Sequence, residues 1–337
     1  MRESADSDDL NDARYGRPRR GNRGENTRKN RGNRKLGDDE AVFVKRDRHR
    51  ARLAAQDARD ATDGLPEGDR WSTWDQSTLT ERGPVPYPDW LVTELAAVDT
   101  ELGILKTGKE ADVYLLRRAV PGTGRECLLA AKRYRDAQHR LFHRDAGYLE
   151  GRRTRESRVN RAAASRTNFG RQAIAGQWAN AEFTALCRLY EAGVPVPYPA
   201  QVTGTEVLLE FIGDADGTAA PRLAETRPGQ AALKDLWGQL TAALVTLAQL
   251  GLAHGDLSAY NLLVHGGRLI VIDLPQVVDV ISNPNGSGFL ARDARNVAGW
   301  FAARGLEDAD PETLARLLAE EARLALPAWK VEFRPPA

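Results

Sequence analysis

The sequence predicts an α+β fold of two lobes, an antiparallel sheet first and a mainly helical lobe after it. Three observations carry this reading. The stretch LGILKTGKEADVYLLRR alternates with period two on both sides of a glycine turn, which is the pattern of a half-buried hairpin. The stretch AALKDLWGQLTAALVTLAQLG has apolar residues at Leu233, Leu236, Trp237, Leu240, Leu244 and Leu247, the spacing of a buried helix. Between that helix and a second hairpin lies a polar run, HGDLSAYN. With 337 residues, 42% hydrophobic and 28% charged, the chain can bury an ordinary core in one two-lobed domain with a tail before it.

The tail is expected to occupy residues 1–70. From Arg14 to Lys35 there are ten Lys or Arg against one acid, Glu25, with no aliphatic residue. Such a segment cannot bury enough apolar surface to order itself, so it reads as a disordered basic arm. Acidic patches, Asp6 to Asp12 and Asp38 to Glu40, bracket it. An arm of this charge either grips RNA or another polyanion, by neutralising phosphates and releasing counterions, or serves as a solubilising tail. The following VFVKRDRHRARLAAQDARDA has only a weak apolar face, and folded structure is expected from about Trp71.

The two cysteines, Cys127 and Cys187, make no disulfide framework and no CxxC spacing, which fits a reducing cytoplasm. Leu240 to Ala253, the most apolar long stretch, falls short of the roughly twenty residues a bilayer requires. The N-terminus is polar from Arg2 onward, without the apolar core of a signal peptide. A cytoplasmic protein without a membrane partner is the expectation.

Along the folded part, ECLLAAKRY reads as a strand following the first hairpin. A polar, Arg-rich segment runs from Arg135 to Arg171. It contains His139 and His143 one helical turn apart, with no third ligand near them to complete a metal site. In QWANAEFTALCRLYEAG, Trp178, Ala181, Ala185, Leu186 and Leu189 form a helical stripe that stops at Gly193. VPVPYP forces an extended connection, TEVLLEFIGD is a strand, and NLLVHGGRLIVIDL is a hairpin turning at Gly266 and Gly267.

The chemistry concentrates around that last hairpin. Asp256 is followed five residues later by Asn261, and twelve after that by Asp273 at a strand end. This is the protein-kinase arrangement, in which the first Asp accepts the proton of the acceptor hydroxyl while the Asn and the second Asp hold magnesium. Magnesium prefers hard oxygen donors and keeps several waters, so one amide and one carboxylate suffice from the protein. Such a site also needs a Lys on an early strand paired with a Glu on a helix. AAKRY supplies Lys132 and NAEF supplies Glu182, in the right order and on the right elements.

The spacing Gly103, Gly108, Lys109 opens like a Walker A loop, but Glu110 stands where that loop needs Ser or Thr. Taken with AAKRY, WANAEF, HGDLSAYN and VIDLPQVVD, the segment KTGKEADVY resembles the RIO family of atypical protein kinases, nearest its type-one branch. The likeness runs from about Leu102 to Trp300. It implies a kinase domain over residues 71–337, with an N-lobe of about 98–212 and a C-lobe of about 213–337, and with no activation segment. By this resemblance Thr107, Gly108 and Lys109 would border the phosphates of ATP and Val113 would cover the adenine. Glu110 would belong to the loop without binding metal. The backbones of Glu210 and Ile212 would face the adenine edge. Lys106 stands where the family usually has Ser, and Leu209 and Glu210 where its hinge often has Met and Ser.

Further features agree with the likeness. The Arg-rich segment matches in position a loop that RIO kinases insert, and His254 and Gly255 replace the His-Arg of ordinary kinases. After Asp273 there is neither Phe-Gly nor Ala-Pro-Glu, and fewer than twenty residues precede the next helical pattern, so no peptide-docking platform fits.

The resemblance implies a serine/threonine protein kinase that uses ATP and magnesium or manganese to phosphorylate a protein acceptor or itself. Lys132, Asp256, Asn261 and Asp273 would be its catalytic and metal residues. Two other readings stay open. In one, Asp273 becomes an aspartyl phosphate and ATP turnover times release from an RNA-rich partner, as in small ribosomal subunit maturation, which the basic arm would suit. In the other, the chain is a small-molecule kinase of the aminoglycoside or choline type, although only about 60 residues follow Asp273 to build a substrate lobe.

Overall fold

The computed structural model describes residues 69–135, 168–274 and 277–324. The basic arm and the His139/His143 pair lie outside these residues, as does most of the Arg-rich segment.

The first lobe is a six-stranded antiparallel sheet in the order β1-β2-β3-β4-β6-β5. Its strands are β1 (Arg70–Trp71), β2 (Val98–Thr107), β3 (Ala111–Ala119), β4 (Glu126–Tyr134), β5 (Pro199–Thr203) and β6 (Glu206–Glu210). The alternation seen in sequence appears as the β2–β3 hairpin. At its turn, Gly108 donates its N–H to the Ala111 carbonyl, and a side chain on Gly108 would come within 2.7 Å of that same oxygen. Glycine is therefore required there.

Residues 69–97 also belong to this lobe, ahead of the expected boundary near 98. β1 pairs with the start of β2, and Trp74, Leu91, Val92 and Ala97 pack with Leu116, Leu129, Tyr198 and Leu208 in one cluster. The extended connection expected at VPVPYP leads into β5, a strand the sequence reading did not name, and Gly204, at φ 58°, closes a tight turn from it onto β6.

Helix α1 (Asn168–Glu191) crosses one face of the sheet. Its buried stripe runs through Ala175, Trp178, Ala179, Glu182, Phe183, Leu186 and Leu189, and Ala181 and Ala185 lie at its margin, half-buried. The stripe is rotated from the expected one because Phe183, a larger apolar group, takes the sheet-facing place.

The second lobe is held by α2 (Gln230–Gln249), which buries Leu233, Leu236, Leu240, Ala243, Leu244 and Leu247, with α3 (Gly286–Ala302) and α4 (Pro311–Glu321) packed beside it. Asp310 caps α4 by accepting the Thr313 N–H, ahead of Pro311 in the first turn. Two small ribbons complete the lobe, β7 (Leu252–Ala253) with β10 (Val278–Asp279), and β8 (Leu262–His265) with β9 (Arg268–Val271). The β8–β9 turn uses Gly266 and Gly267 at φ 56° and 76°, as a tight two-residue hairpin demands. α3 begins at Gly286, so only a short segment carrying β10 separates it from Asp273. Among the described residues no helix is long and apolar enough to cross a membrane.

Candidate active site

A cleft of about 720 Å³ lies between the lobes. Strand alternation decides what enters it from above. Val113 pairs with Lys132 across β3 and β4, so both project from one face of the sheet. That face supplies Val113, Ala130 and Lys132, and Leu209 and Ile212 continue the wall. Leu263, Ile272, Asp256 and Asp273 line the opposite side.

At the inner end, the Lys132 ammonium bonds Glu182 Oε1 at 2.6 Å and Asp273 Oδ1 at 2.8 Å. Glu182 is buried, and its second oxygen accepts the Tyr134 hydroxyl. Burial alone would strip the proton from Lys132, but Glu182 and Asp273 outweigh it and raise the affinity of the ammonium for its proton. Burial would likewise protonate Asp273, and the Lys132 charge reverses this and holds the carboxylate ionised. Asp273 adopts φ 66°, a left-handed conformation uncommon outside glycine, and is kept there by the bond to Lys132 and by the hairpin behind it.

The HGDLSAYN run forms the loop below. Its backbone is pinned rather than free: the Asp293 carboxylate on α3 accepts the N–H of Gly255 at 2.8 Å and of Leu257 at 3.1 Å. Asn296, one turn along the same helix, donates to the Leu257 carbonyl. Gly255 has φ 86°, which a side chain would strain. His254 Nδ1 accepts the Asp256 N–H and its Nε2 faces the Ile272 carbonyl, so the ring carries its proton on Nε2 and ties the loop to the strand leading to Asp273. With its backbone held from both sides, the Asp256 side chain stands exposed in the cleft.

Asn261 donates its amide to the Asp256 carbonyl at 2.9 Å. This orients the side chain and leaves Oδ1, the atom a hard cation takes, without a hydrogen bond among the described residues. Asp273 Oδ2 is in the same condition. An amide oxygen and an ionised carboxylate are the hard donors magnesium accepts, so these residues fit the ion. Among the described residues no group of three or more His, Cys, Asp and Glu gathers for a metal.

At the hinge, Glu210 donates its N–H to the Tyr198 carbonyl, and the Ile212 carbonyl accepts the Ala220 N–H. The Ile212 N–H has no partner among the described residues, as an adenine-facing donor requires. Burial raises the pKa of the Glu210 carboxyl, whose Oε2 accepts the Tyr198 N–H. Gly108, Lys109 and Glu110 border the cleft, whereas Thr107 does not.

A model of the RIO domain matches residues 129–314, more than half of the chain and all of this cleft except its β2–β3 cover. The chain belongs to the RIO family. It is 37% identical over 218 residues to the RIO-type serine/threonine-protein kinase Rio1 of Haloferax volcanii, covering 64% of this chain and 68% of that one. It is 31% identical to the serine/threonine-protein kinase RIO1 of Chaetomium thermophilum, covering 65% and 42%. To the serine/threonine-protein kinase RIO3 of Bos taurus it is 35% identical, covering 40% and 26%. The chain thus spans less than half the length of these eukaryotic RIO relatives.

The cleft places Lys132, Glu182, Asp256 and Asp273, singled out by their order along the chain, beside Glu210 and Ile212, singled out by the resemblance, and Asn261 is fastened to the Asp256 loop. Sequence reading missed Tyr134, Asp293 and Asn296. A signal for Asp293 was present. In FLARDARNVAGWF, Asp293 falls among Leu290, Ala294 and Val297 on the apolar face of its helix, where a polar residue needs a buried partner.

Proposed function

We propose that this RIO-family chain is an ATP-dependent serine/threonine protein kinase that transfers the γ-phosphate of ATP to a hydroxyl of a protein acceptor or of itself. The observation that carries this reading is Lys132 joined to both Glu182 and Asp273 in a cleft that also exposes Asp256. Lys132 binds the phosphates and Glu182 fixes its position. Asp256 takes the proton of the acceptor hydroxyl as that oxygen bonds to the γ-phosphorus and the bond to the ADP oxygen breaks. Asn261 and Asp273 hold magnesium or manganese, which when bound neutralises charge on the phosphates. Val113, Ala130, Leu209 and Ile272 bury the adenine, Glu210 and Ile212 meet its edge through the backbone, and Gly108 and Lys109 border the phosphates. The test is incubation with γ-labelled ATP and magnesium beside a generic basic protein acceptor. Label on serine or threonine of either protein supports the kinase, and the absence of any transfer opposes it.

A second reading has its own observation. Asp273 is ionised, borders the cleft, and keeps Oδ2 unbonded among the described residues, so it could attack the γ-phosphorus itself and give an aspartyl phosphate and ADP. ATP turnover would then act as a switch, and the basic arm at 14–35 would serve an RNA-rich or ribosomal partner; the arm's charge is the support for that partner.

A further inference from the structure

We propose that Lys106 is a second phosphate-binding ammonium of this cleft and the residue by which the chain distinguishes a nucleoside triphosphate from a diphosphate. The proposal rests on the reading of the cleft as an ATP site.

The argument begins with strand register. β2 and β3 pair Ile104 with Tyr114 and Lys106 with Val113, so Leu105 is an extra residue in β2, a bulge. Without it Leu105 would stand opposite Val113 and Lys106 would turn to the outer face. With it, Lys106 stands opposite Val113, which in turn stands opposite Lys132. Residues directly opposite one another share a face of the sheet, so the two lysines flank Val113 in one row on the cleft side. Two strand spacings put their Cα atoms roughly 10 Å apart.

The charges are not equivalent. Lys132 is committed, bonded to Glu182 at 2.6 Å and to Asp273 at 2.8 Å. Lys106 has no hydrogen bond or ion pair among the described residues, although it lines the same cleft. The residue is exposed, and partial loss of water at the cleft wall lowers its pKa; Asp273 opposes this, and the nearby charges of Arg222 and Lys132 add to it. Arg222 lines the cleft from the other lobe, where its guanidinium donates to the Tyr260 carbonyl, a neutral partner. Lys106 and Arg222 are therefore cations of this cleft that no carboxylate bonds among the described residues, and a polyphosphate supplies them with partners. Lys106 shares its row with Lys132, whose ammonium bonds Asp273 at the metal end of the cleft, so its own ammonium is placed toward the far phosphates rather than the one beside the ribose. A triphosphate gains from it what a diphosphate does not.

The test uses the full-length chain and its Lys106→Met, Lys106→Ser and Lys106→Arg variants. Affinities for ATP, ADP and AMP are measured by calorimetry in magnesium, with thermal unfolding recorded to establish that each variant is folded. Loss of one charge-assisted phosphate contact predicts about tenfold weaker ATP binding in Lys106→Met and Lys106→Ser, little change for AMP, and an ATP-to-ADP preference that collapses toward unity. Lys106→Arg retains the preference. Folded Lys106→Met with the ATP-to-ADP ratio of the parent overturns the proposal while leaving the ATP site intact. Failure of the parent chain itself to bind any of the three nucleotides overturns the reading of the cleft, and this proposal with it.

Discussion

Lys132 Nζ lies 2.8 Å from Asp273 Oδ1, a direct bond from the central strand β4 of the sheet lobe to the end of the β8–β9 hairpin in the helical lobe. The same ammonium bonds Glu182 on α1, so one side chain fixes three elements around the cleft.

Lys132→Met removes the charge that compensates Glu182, whose carboxylate is buried and keeps only neutral donors, the Tyr134 hydroxyl and the Leu274 N–H. A buried charge left unpaired costs about 3–5 kcal/mol, and the variant should lose that much stability in denaturant unfolding along with phosphoryl transfer. Replacing both groups, in Lys132→Met with Glu182→Leu, should restore part of the stability and none of the activity.

Asp256→Ala should abolish transfer and leave nucleotide affinity unchanged, because this carboxylate acts on the acceptor and makes no bond to Lys132 or Asp273. Single-turnover transfer and nucleotide titration, run on the same preparation, check both halves.

Asp293→Asn offers one acceptor oxygen where two backbone N–H groups converge, so the loop that carries Asp256 should lose one of its two ties to α3. Stability should fall by about 1–3 kcal/mol. The turnover number should drop about tenfold or more, since a small displacement of a reacting group is costly. ATP affinity should hold. Asn296→Ala, which loses the single bond to Leu257, should do the same more weakly.

Burial raises the pKa of Glu210, so the fold favours its protonated form. The stability this group contributes is present below the ordinary carboxyl pKa of about 4.3 and is lost as pH rises through the higher folded value. Glu210→Gln, which keeps an acceptor for the Tyr198 N–H, should therefore raise the unfolding temperature by about a few degrees at pH 7.5, and the gain should vanish near pH 4.

Deleting residues 1–40 removes the basic arm at 14–35 and both acidic patches. Any affinity for RNA should fall, and the slope of log affinity against log salt should flatten, since each phosphate neutralised contributes to that slope. An unaltered slope assigns the arm a solubilising role.

The elements with strong periodicity were legible. The β2–β3 hairpin, α2 and the β8–β9 hairpin stand where alternation, apolar spacing and the Gly266–Gly267 turn put them. The site residues were legible because their order along the chain is tied to chemistry: Lys132, Glu182, Asp256 and Asp273 do converge. What escaped depends on long-range packing. β1 and β10 are two residues each and exist only through their partners Val98–Asp99 and Leu252–Ala253. The Leu105 bulge is invisible in a one-dimensional pattern, because an extra residue in a strand changes parity without changing composition. Tyr134 sits two residues after Lys132 on the same face, and only the position of α1 reveals that its hydroxyl completes Glu182.

The most direct measurement is the chemistry of the label left by γ-labelled ATP and magnesium. The account predicts phosphate stable to hydroxylamine, on serine or threonine, and absent from Asp256→Ala. Label released by hydroxylamine, retained in Asp256→Ala and missing from Asp273→Asn would contradict it and establish the aspartyl-phosphate switch.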